Sequence, residues 1–159
     1  MTAGDGASVH ASAVLIGDVA VLIQGRSGSG KSRLAFDLML AGRAGQIAPT
    51  LLVGDDRVHL ERHGGQLLVR PAAKLEGLIE IRGLGIRRCD FVTQAPVGLV
   101  VDLDAEDGER MPDARALRTT LMDIVLPRIP VAPGFAPLPL VLAWLVTAPE
   151  RMPALVCDK

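Results

Sequence analysis

Gly25-Arg26-Ser27-Gly28-Ser29-Gly30-Lys31-Ser32 is the stretch of this sequence whose residue types and spacing dictate a chemistry on their own. It satisfies the pattern GxxxxGK[ST] in full, between an apolar run (19–23) and an amphipathic one (31–41), which is the strand-to-helix context the pattern requires. Glycines let backbone amides turn inward around phosphate groups, and the helix N-terminus adds the positive end of its dipole. Lys31 can reach the outer phosphates of a nucleoside triphosphate, and Ser32 offers a hydroxyl to Mg²⁺. Such a loop does not by itself distinguish a kinase from an ATPase or a GTPase.

Phosphoryl transfer also needs a further metal ligand and a base, and two acidic stretches compete for these duties. Val100-Val101-Asp102-Leu103-Asp104 is an apolar strand ending in acids, whereas Leu52-Val53-Gly54-Asp55-Asp56 offers paired carboxylates nearer the loop. Residue types alone leave both open, since adjacent carboxylates at a strand end serve equally as a turn.

The elements that must position these residues follow from periodicity. Runs at 14–16 and 19–23, split by Gly17-Asp18, predict a hairpin ahead of the glycine loop. Leu34, Ala35, Leu38 and Ala41 predict a helix over 31–41, with Gly42 as its left-handed terminator. Strands are expected at 51–54 and 78–81, and a hairpin from Val58 and Leu60 to 67–69 turns at His63-Gly64-Gly65, leaving His59 and His63 at the surface. Residues 83–85 read as a loop and 97–103 as a central strand. Asp113 is expected to cap a helix over 114–125, with Leu117, Leu121, Ile124 and Val125 on one face. Five prolines between Pro127 and Pro139 predict a loop around 129–131, followed by a last helix at 140–147 and a loosely held tail from Pro149.

With 159 residues and 49 % hydrophobic content, the chain is sized for one α/β domain with a substantial core. A net charge of −1 gives no electrostatic reason to expect nucleic acid or a membrane surface as partner. The longest apolar run, 138–148, is interrupted by Pro139 and falls short of the roughly 20 residues a membrane helix needs. Cys89 and Cys157 lie far apart without metal-ligand spacing, and residues 1–6 lack the features of a secretory signal. The expectation is a soluble cytoplasmic domain with two plain thiols.

Four motifs taken in order resemble the HPr kinase/phosphorylase family. They are Val9-His10, the loop Gly25 to Ser32, the pair Asp55-Asp56 followed by Arg57-Val58, and Ile79-Glu80-Ile81-Arg82-Gly83-Leu84-Gly85-Ile86. The last is the most discriminating, because a generic phosphate-binding loop protein has no need of it. The resemblance covers residues 10–134. It implies a P-loop kinase fold of the HPr kinase / PEP carboxykinase type, a mixed central β-sheet with flanking helices, using ATP and Mg²⁺. It further implies a single catalytic domain over 1–159 without the family's N-terminal domain, similar to short alphaproteobacterial members, and homo-oligomeric assembly. By that resemblance Asp56 is the general base toward a serine of the phosphocarrier protein HPr, or of its nitrogen-related paralogue, with Asp55 supporting it. Ser32, Glu80 and Asp55 would serve the metal, His10 matches a catalytic histidine, and Arg110 corresponds to a later catalytic arginine that stabilises transferred charge. Arg82 would contact phosphate or the partner. Without the resemblance, His10, Glu80 and Arg110 read as surface residues.

Two departures stand out. The segment 44–50 carries surplus residues that lengthen a surface loop. Ile129-Pro130-Val131-Ala132-Pro133-Gly134-Phe135-Ala136 is similar to the family loop Ile-Pro-Val-Arg-Pro-Gly-Arg-Asn, with Ala132, Phe135 and Ala136 in place of its polar residues. In the family that loop serves phosphorolysis of the seryl-phosphorylated carrier, so the reverse reaction is expected to be weak or absent. Two other readings of the phosphate loop are a small-molecule kinase, for which no arginine-rich lid segment is evident, and a nucleotide-dependent sensor module without transfer.

Overall fold

A computed structural model of the protein describes residues 6–149. Cys157, the first five residues and the tail beyond Pro149 therefore lie outside the described residues. Eleven strands and two α-helices are present among those described: β1 (Ala7–Val9), β2 (Ala11–Ile16), β3 (Val19–Gln24), α1 (Lys31–Arg43), β4 (Thr50–Gly54), β5 (Val58–His63), β6 (Gln66–Pro71), β7 (Leu78–Ile81), β8 (Gly85–Arg88), β9 (Ala95–Asp102), β10 (Arg118–Leu121), β11 (Ile124–Pro130) and α2 (Pro137–Val146). Nine of the strands form one mixed sheet in the order β1-β5-β6-β9-β3-β2-β4, with β11 joining β9 and β10 joining β11. Strand β9 runs parallel to β3 and β11, and the other pairings are antiparallel. The remaining two strands, β7 and β8, make a separate hairpin.

The strands at the centre are buried on both faces. Along β3, Val21 and Ile23 pack with α1 and α2 on one side, while Ala20 and Leu22 face a second cluster closed by β5, β6 and the tip of the β10–β11 hairpin. Such two-sided burial is why the 97–103 run is apolar throughout rather than alternating. The extra residue Gly98 shifts the β3–β9 register between Ala20 and Val21. This bulge explains how Val97 faces one cluster and Leu99, two residues on, the other. The partner of β9 on its far edge changes from β6 at Ala95 and Pro96 to β11 at 100–102, so the sheet curls and opens at that strand's C-terminal end.

Helix α1 buries Leu34, Ala35, Leu38, Met39 and Ala41. Its terminator is Gly45 rather than Gly42. Gly45 has φ 75°, its N–H donates to Gly42 O (3.2 Å), and Gln46 N–H donates to Ala41 O (3.0 Å), together a complete Schellman motif. Gly42 is glycine for a different reason. A Cβ there would lie 2.8 Å from Thr50 Oγ1 and 2.9 Å from Thr50 N, so α1 approaches the start of β4 too closely for any side chain. Residues 44–49 form a connection over the surface, pinned by Gly17 N–H donating to Pro49 O (3.1 Å).

Three further expectations are corrected. The segment 114–125 is not a helix but leads into the hairpin β10–β11, turned by Met122 and Asp123 at φ 50° and 64°. The apolar spacing misled because Leu121 and Ile124, three residues apart as on a helix, are cross-strand partners over a two-residue turn. Asp113 still caps, with Oδ1 accepting N–H bonds from Arg115 (2.9 Å) and Ala116 (3.0 Å), although only a turn follows. The proline-rich segment also carries a strand, β11. Its residues 128–130 pair with β9; Pro127 sits ahead of that stretch, and Pro130 ends it, with the N–H of the next residue, Val131, donating to Asp102 O (2.9 Å). The last helix begins earlier than expected, at Pro137, where proline's missing N–H costs nothing. No helix among the described residues is long and apolar enough to cross a membrane.

Gly42→Ala should lower the stability of the fold by about 1–3 kcal/mol through overpacking against the Thr50 backbone. A urea midpoint that drops while the denaturant slope stays constant is the expected reading.

Candidate active site

Strand β3 delivers the glycine loop to the open end of the sheet. Gly28 and Gly30 have φ 82° and 101°, conformations that side chains disfavour, and Gly30 is the N-cap of α1. A Cβ on Gly25 would come within 2.5 Å of the buried Ser29 Oγ and 3.0 Å of Leu103 Cβ, so the loop is packed down onto the residue that follows β9. The first helical bond of α1 is Leu34 N–H to Gly30 O (3.0 Å), which leaves the amides of Lys31, Ser32 and Arg33 without helical acceptors and available to an anion. Lys31, only 7 % exposed, donates from Nζ to the carbonyls of Gly25 (2.8 Å) and Arg26 (3.0 Å), so its charge is held in the concavity of the loop.

Asp55 closes the floor of this site. It is 4 % exposed. Its Oδ1 accepts hydrogen bonds from Ser12 Oγ and Ser32 Oγ, both at 2.7 Å, and its Oδ2 accepts the Glu80 N–H at 3.0 Å. One carboxylate thus joins β2, α1 and β7. Ser12 was not singled out from the sequence; its signal was a hydroxyl residue at an otherwise apolar, fully buried strand position, an anomaly that demands a partner. Its Oγ also accepts the N–H of Asp56 (3.3 Å).

The neighbouring carboxylate is placed quite differently. Asp56 is exposed and has φ 66°, and Arg57 N–H donates to Asp55 O at 2.7 Å. That three-residue closure with a positive central φ is the rarer and strained form of γ-turn. It turns the two adjacent side chains apart, one into the interior and the other into the cleft.

The cleft has a volume of about 600 Å³, within the range of roughly 300–1,000 Å³ typical of ligand sites. The loop residues Ser27, Gly28, Gly30, Lys31 and Ser32 line it on one side. Asp56, Glu80, Ile81 and Arg82 line it opposite, and Phe36 and Asp37 of α1 extend it along the helix. Arg82 lies over the loop, its Nη2 3.3 Å from where a Cβ on Gly28 would be. Residues 81–84 form a turn closed by Leu84 N–H to Ile81 O (2.9 Å), with Gly83 at φ 92° in the position that requires it. This accounts for Gly83 in the Glu80 to Ile86 motif, while Leu84 and Ile86 are left exposed and Gly85 starts β8.

Not every expected residue reaches the cleft. His10 is exposed beside it, with Arg57 Nη2 donating to its Nε2 (3.2 Å), so that Arg57 bridges His10 and Ser8 behind the acidic pair. Arg110 is exposed on the loop after β9 and lies outside the cleft lining. Arg26 is exposed and contributes its carbonyl to Lys31. Asp102, the rival strand-end acid, is taken up by Arg128, which also forms a two-pronged pair with Asp107 (2.7 and 3.0 Å) and donates to Ala116 O (2.9 Å). Arg128 holds the Asp107 carboxyl below its usual range, and its own guanidinium is pushed up chiefly by its hydrogen bond with Asp107. Cys89, half-buried after β8, has its thiol pushed up first by burial and then by the nearby Asp90 and Asp55, consistent with a plain thiol.

The donor set fits Mg²⁺ on nucleotide phosphates. That ion keeps waters and phosphate oxygens and needs only one or two protein oxygens. Ser32 Oγ is oriented by Asp55, whose carboxylate has about four acceptor positions of which three are used. Glu80 lines the same cleft.

Comparison with known proteins gives a consistent result. The family described as HPr Serine kinase C-terminal domain matches residues 3–135. The HPr kinase/phosphorylase of Geobacillus thermodenitrificans is 37 % identical over 140 residues, covering 80 % of this chain and 43 % of that protein. That of an Exiguobacterium species is 37 % identical over 142 residues with the same coverage. The chain therefore spans less than half the length of these curated relatives. Among solved structures, the Hpr(Ser) kinase/phosphatase from Coxiella burnetii superposes with a TM-score of 0.67 at 27 % identity, covering 86 % of this chain and 87 % of that one.

Ser12→Ala should cost about 1–3 kcal/mol of stability, because it leaves the buried Asp55 carboxylate one donor short and the Asp56 N–H without its acceptor. Ser12→Thr, which keeps the hydroxyl, should recover part of that loss in the same denaturation measurement.

Proposed function

This chain belongs to the HPr serine kinase C-terminal domain family, and on that premise we propose that it transfers the terminal phosphate of ATP to a serine hydroxyl of a phosphocarrier protein, HPr or its nitrogen-related paralogue, in the cytoplasm. The observation that carries this reading is the split between two adjacent carboxylates. Asp55 is buried and accepts three hydrogen bonds, while Asp56 stands free in the cleft opposite Lys31 and Ser32.

The loop amides and Lys31 bind the outer phosphates and set the direction of transfer. Asp56 accepts the proton of the incoming serine hydroxyl, which is too weak a nucleophile to attack without that help. Asp55 orients the Ser32 hydroxyl and, through the Glu80 amide, fixes the opposite wall of the cleft. Ser32 and Glu80 would hold Mg²⁺, with Asp55 behind them; when bound, the ion neutralises charge on the phosphates. His10 acts through Arg57, which ties it to the turn that presents Asp56. Arg110 sits on the loop between Asp107 and Ala116, both held by Arg128, and its assignment to charge on the transferred group rests on the family resemblance alone.

The forward direction dominates. Residues 132–135 form a turn closed by Phe135 N–H to Ala132 O (3.0 Å), with Pro133 and Gly134 in the places such a turn favours and no cation in it. An anion arriving there would meet Ala132 and the exposed Phe135 ring in place of a guanidinium.

Incubation with labelled ATP, Mg²⁺ and the carrier should yield seryl-phosphorylated carrier, and Asp56→Asn should cut the transfer rate by about 100- to 10,000-fold while nucleotide binding persists. Full activity in that variant would remove Asp56 as the base, and no transfer by the unaltered protein to either carrier would remove the kinase reading. Installing Ala132→Arg together with Phe135→Arg should raise phosphate-dependent release of phosphate from the seryl-phosphorylated carrier. An unchanged rate would mean that this loop does not limit the reverse reaction.

A further inference from the structure

The ends of β3, β9 and β11 meet beneath the glycine loop, and main-chain bonds tie them there. Leu103 N–H donates to Gln24 O (2.9 Å), Val131 N–H to Asp102 O (2.9 Å) and Ala105 N–H to Val131 O (2.8 Å). Leu103 then seats the loop itself, since a Cβ on Gly25 would lie 3.0 Å from Leu103 Cβ. The carbonyls of Gly25 and Arg26 in turn hold Lys31 Nζ. The floor under Lys31 is therefore the last residue of β9 and the one after it.

Side chains secure that floor from the opposite face of the sheet. Arg128 pairs in register with Val100, which puts Asp102 diagonally beside it on the same face, whereas Leu103 belongs to the cluster that packs with α1. The guanidinium grips the Asp102 carboxylate with Nε and, with its other two nitrogens, both oxygens of Asp107 and the Ala116 carbonyl. The Arg128 side chain is 14 % exposed and that of Asp102 22 %, so water screens neither charge fully. The loop so held is packed closely on the chain after β11, because a Cβ on Gly108 would lie 2.5 Å from Ala132 N.

We propose that Arg128 is a positioning residue of the phosphate site: it lies outside the cleft lining, but it fixes the strand end on which Gly25 and, through Gly25, Lys31 are seated. This rests on the kinase reading above in so far as the glycine loop binds ATP, and it adds a residue on the far face of the sheet that sets the loop's geometry. The task calls for arginine. A planar fork holds two carboxylates and a carbonyl at once, whereas an ammonium on a flexible stem is a single point charge. Without the fork, the partly buried Asp102 carboxylate loses its counter-charge and turns toward water, taking the end of β9 with it. Leu103 and the loop above it then shift, and catalysis by positioning loses affinity and rate through displacements of that size.

The test reads MgATP affinity and transfer rate in variants that keep the net charge or the shape. Arg128→Lys should raise the Kd for MgATP, measured by titration, by about 5- to 10-fold and lower kcat for carrier phosphorylation by about 10-fold or more. Leu67→Val thins the second core cluster without touching this hub and should leave both values within about twofold, which separates positioning from loss of stability. The sharper comparison is made on a Lys31→Met background, where adding Arg128→Lys should change the Kd by less than about twofold, because the positioned group is gone. Asp102→Asn keeps the shape at the other end of the bond and should reproduce the losses of Arg128→Lys. If Arg128→Lys fails to fold by circular dichroism, Asp102→Asn carries the same comparisons. Unchanged Kd and kcat in both variants, while the unaltered protein binds MgATP and transfers phosphate, would overturn the positioning role and leave the kinase reading intact. Equal fold-losses with and without Lys31, or losses in Leu67→Val that match those of Arg128→Lys, would also overturn it and assign Arg128 to stability alone. Absence of MgATP binding by the unaltered protein would overturn both readings.

Discussion

The buried carboxylate of Asp55 is the constraint on which the rest of the site depends. Two hydroxyls and one amide from three separate elements converge on it. Hydrogen bonds to a charged group are each worth about 1.5–3 kcal/mol, and an unpaired carboxylate in this position would be prohibitively costly. The elements are thereby coupled. Strand β2 cannot shift without stranding Ser12, α1 cannot withdraw without stranding Ser32, and the β7–β8 hairpin cannot swing without breaking the Glu80 amide bond. Glycine loop, acidic turn and hairpin are held as one unit, the preorganisation that transfer by positioning requires.

That anchoring also permits the strain next to it. Asp56 occupies a left-handed conformation inside a tight turn, an arrangement that costs of order 1–3 kcal/mol and persists only where neighbouring contacts over-determine it. Here those contacts are the Asp55 hub on one side and the Arg57 bridge to Ser8 and His10 on the other. Two chemically identical residues in succession thus acquire opposite environments. One becomes a fixed acceptor of hydrogen bonds and the other a free carboxylate in a cleft.

A second ionic hub lies outside the cleft. Arg128 binds the end of β9 through Asp102 and the following loop through Asp107 and the Ala116 carbonyl. Further bonds secure the same loop: Leu103 N–H to Gln24 O (2.9 Å) at the base of the glycine loop, and Ala105 N–H to Val131 O (2.8 Å) beside the proline-rich turn. The arrangement gives Asp102 a structural task and explains an acid-ended strand that looks, residue by residue, as suited to metal binding as the Asp55-Asp56 pair.

Much of the site was legible in the residues themselves. The loop from Gly25 to Ser32 is a local motif whose conformation depends on its own glycines and on the helix after it, so its spacing alone predicted its place between β3 and α1. The strands around it and the hairpin at His63-Gly64-Gly65 were likewise legible, because apolar runs and turn residues act over a few positions. What only the tertiary structure decided was long-range. Whether Asp55-Asp56 or Asp102 meets the loop depends on sheet order, with Ser12 and Asp55 separated by 43 positions and joined only because β2 pairs with β4. The β10–β11 hairpin defeated the helical reading because a two-residue turn places Leu121 opposite Ile124 at the same spacing a helix would. Nor could sequence tell that Asp55 is buried and Asp56 free, since that follows from a backbone turn enforced by partners far along the chain. The glycine loop is written in adjacent residues; the pairing of distant strands decides which acid lies beside it.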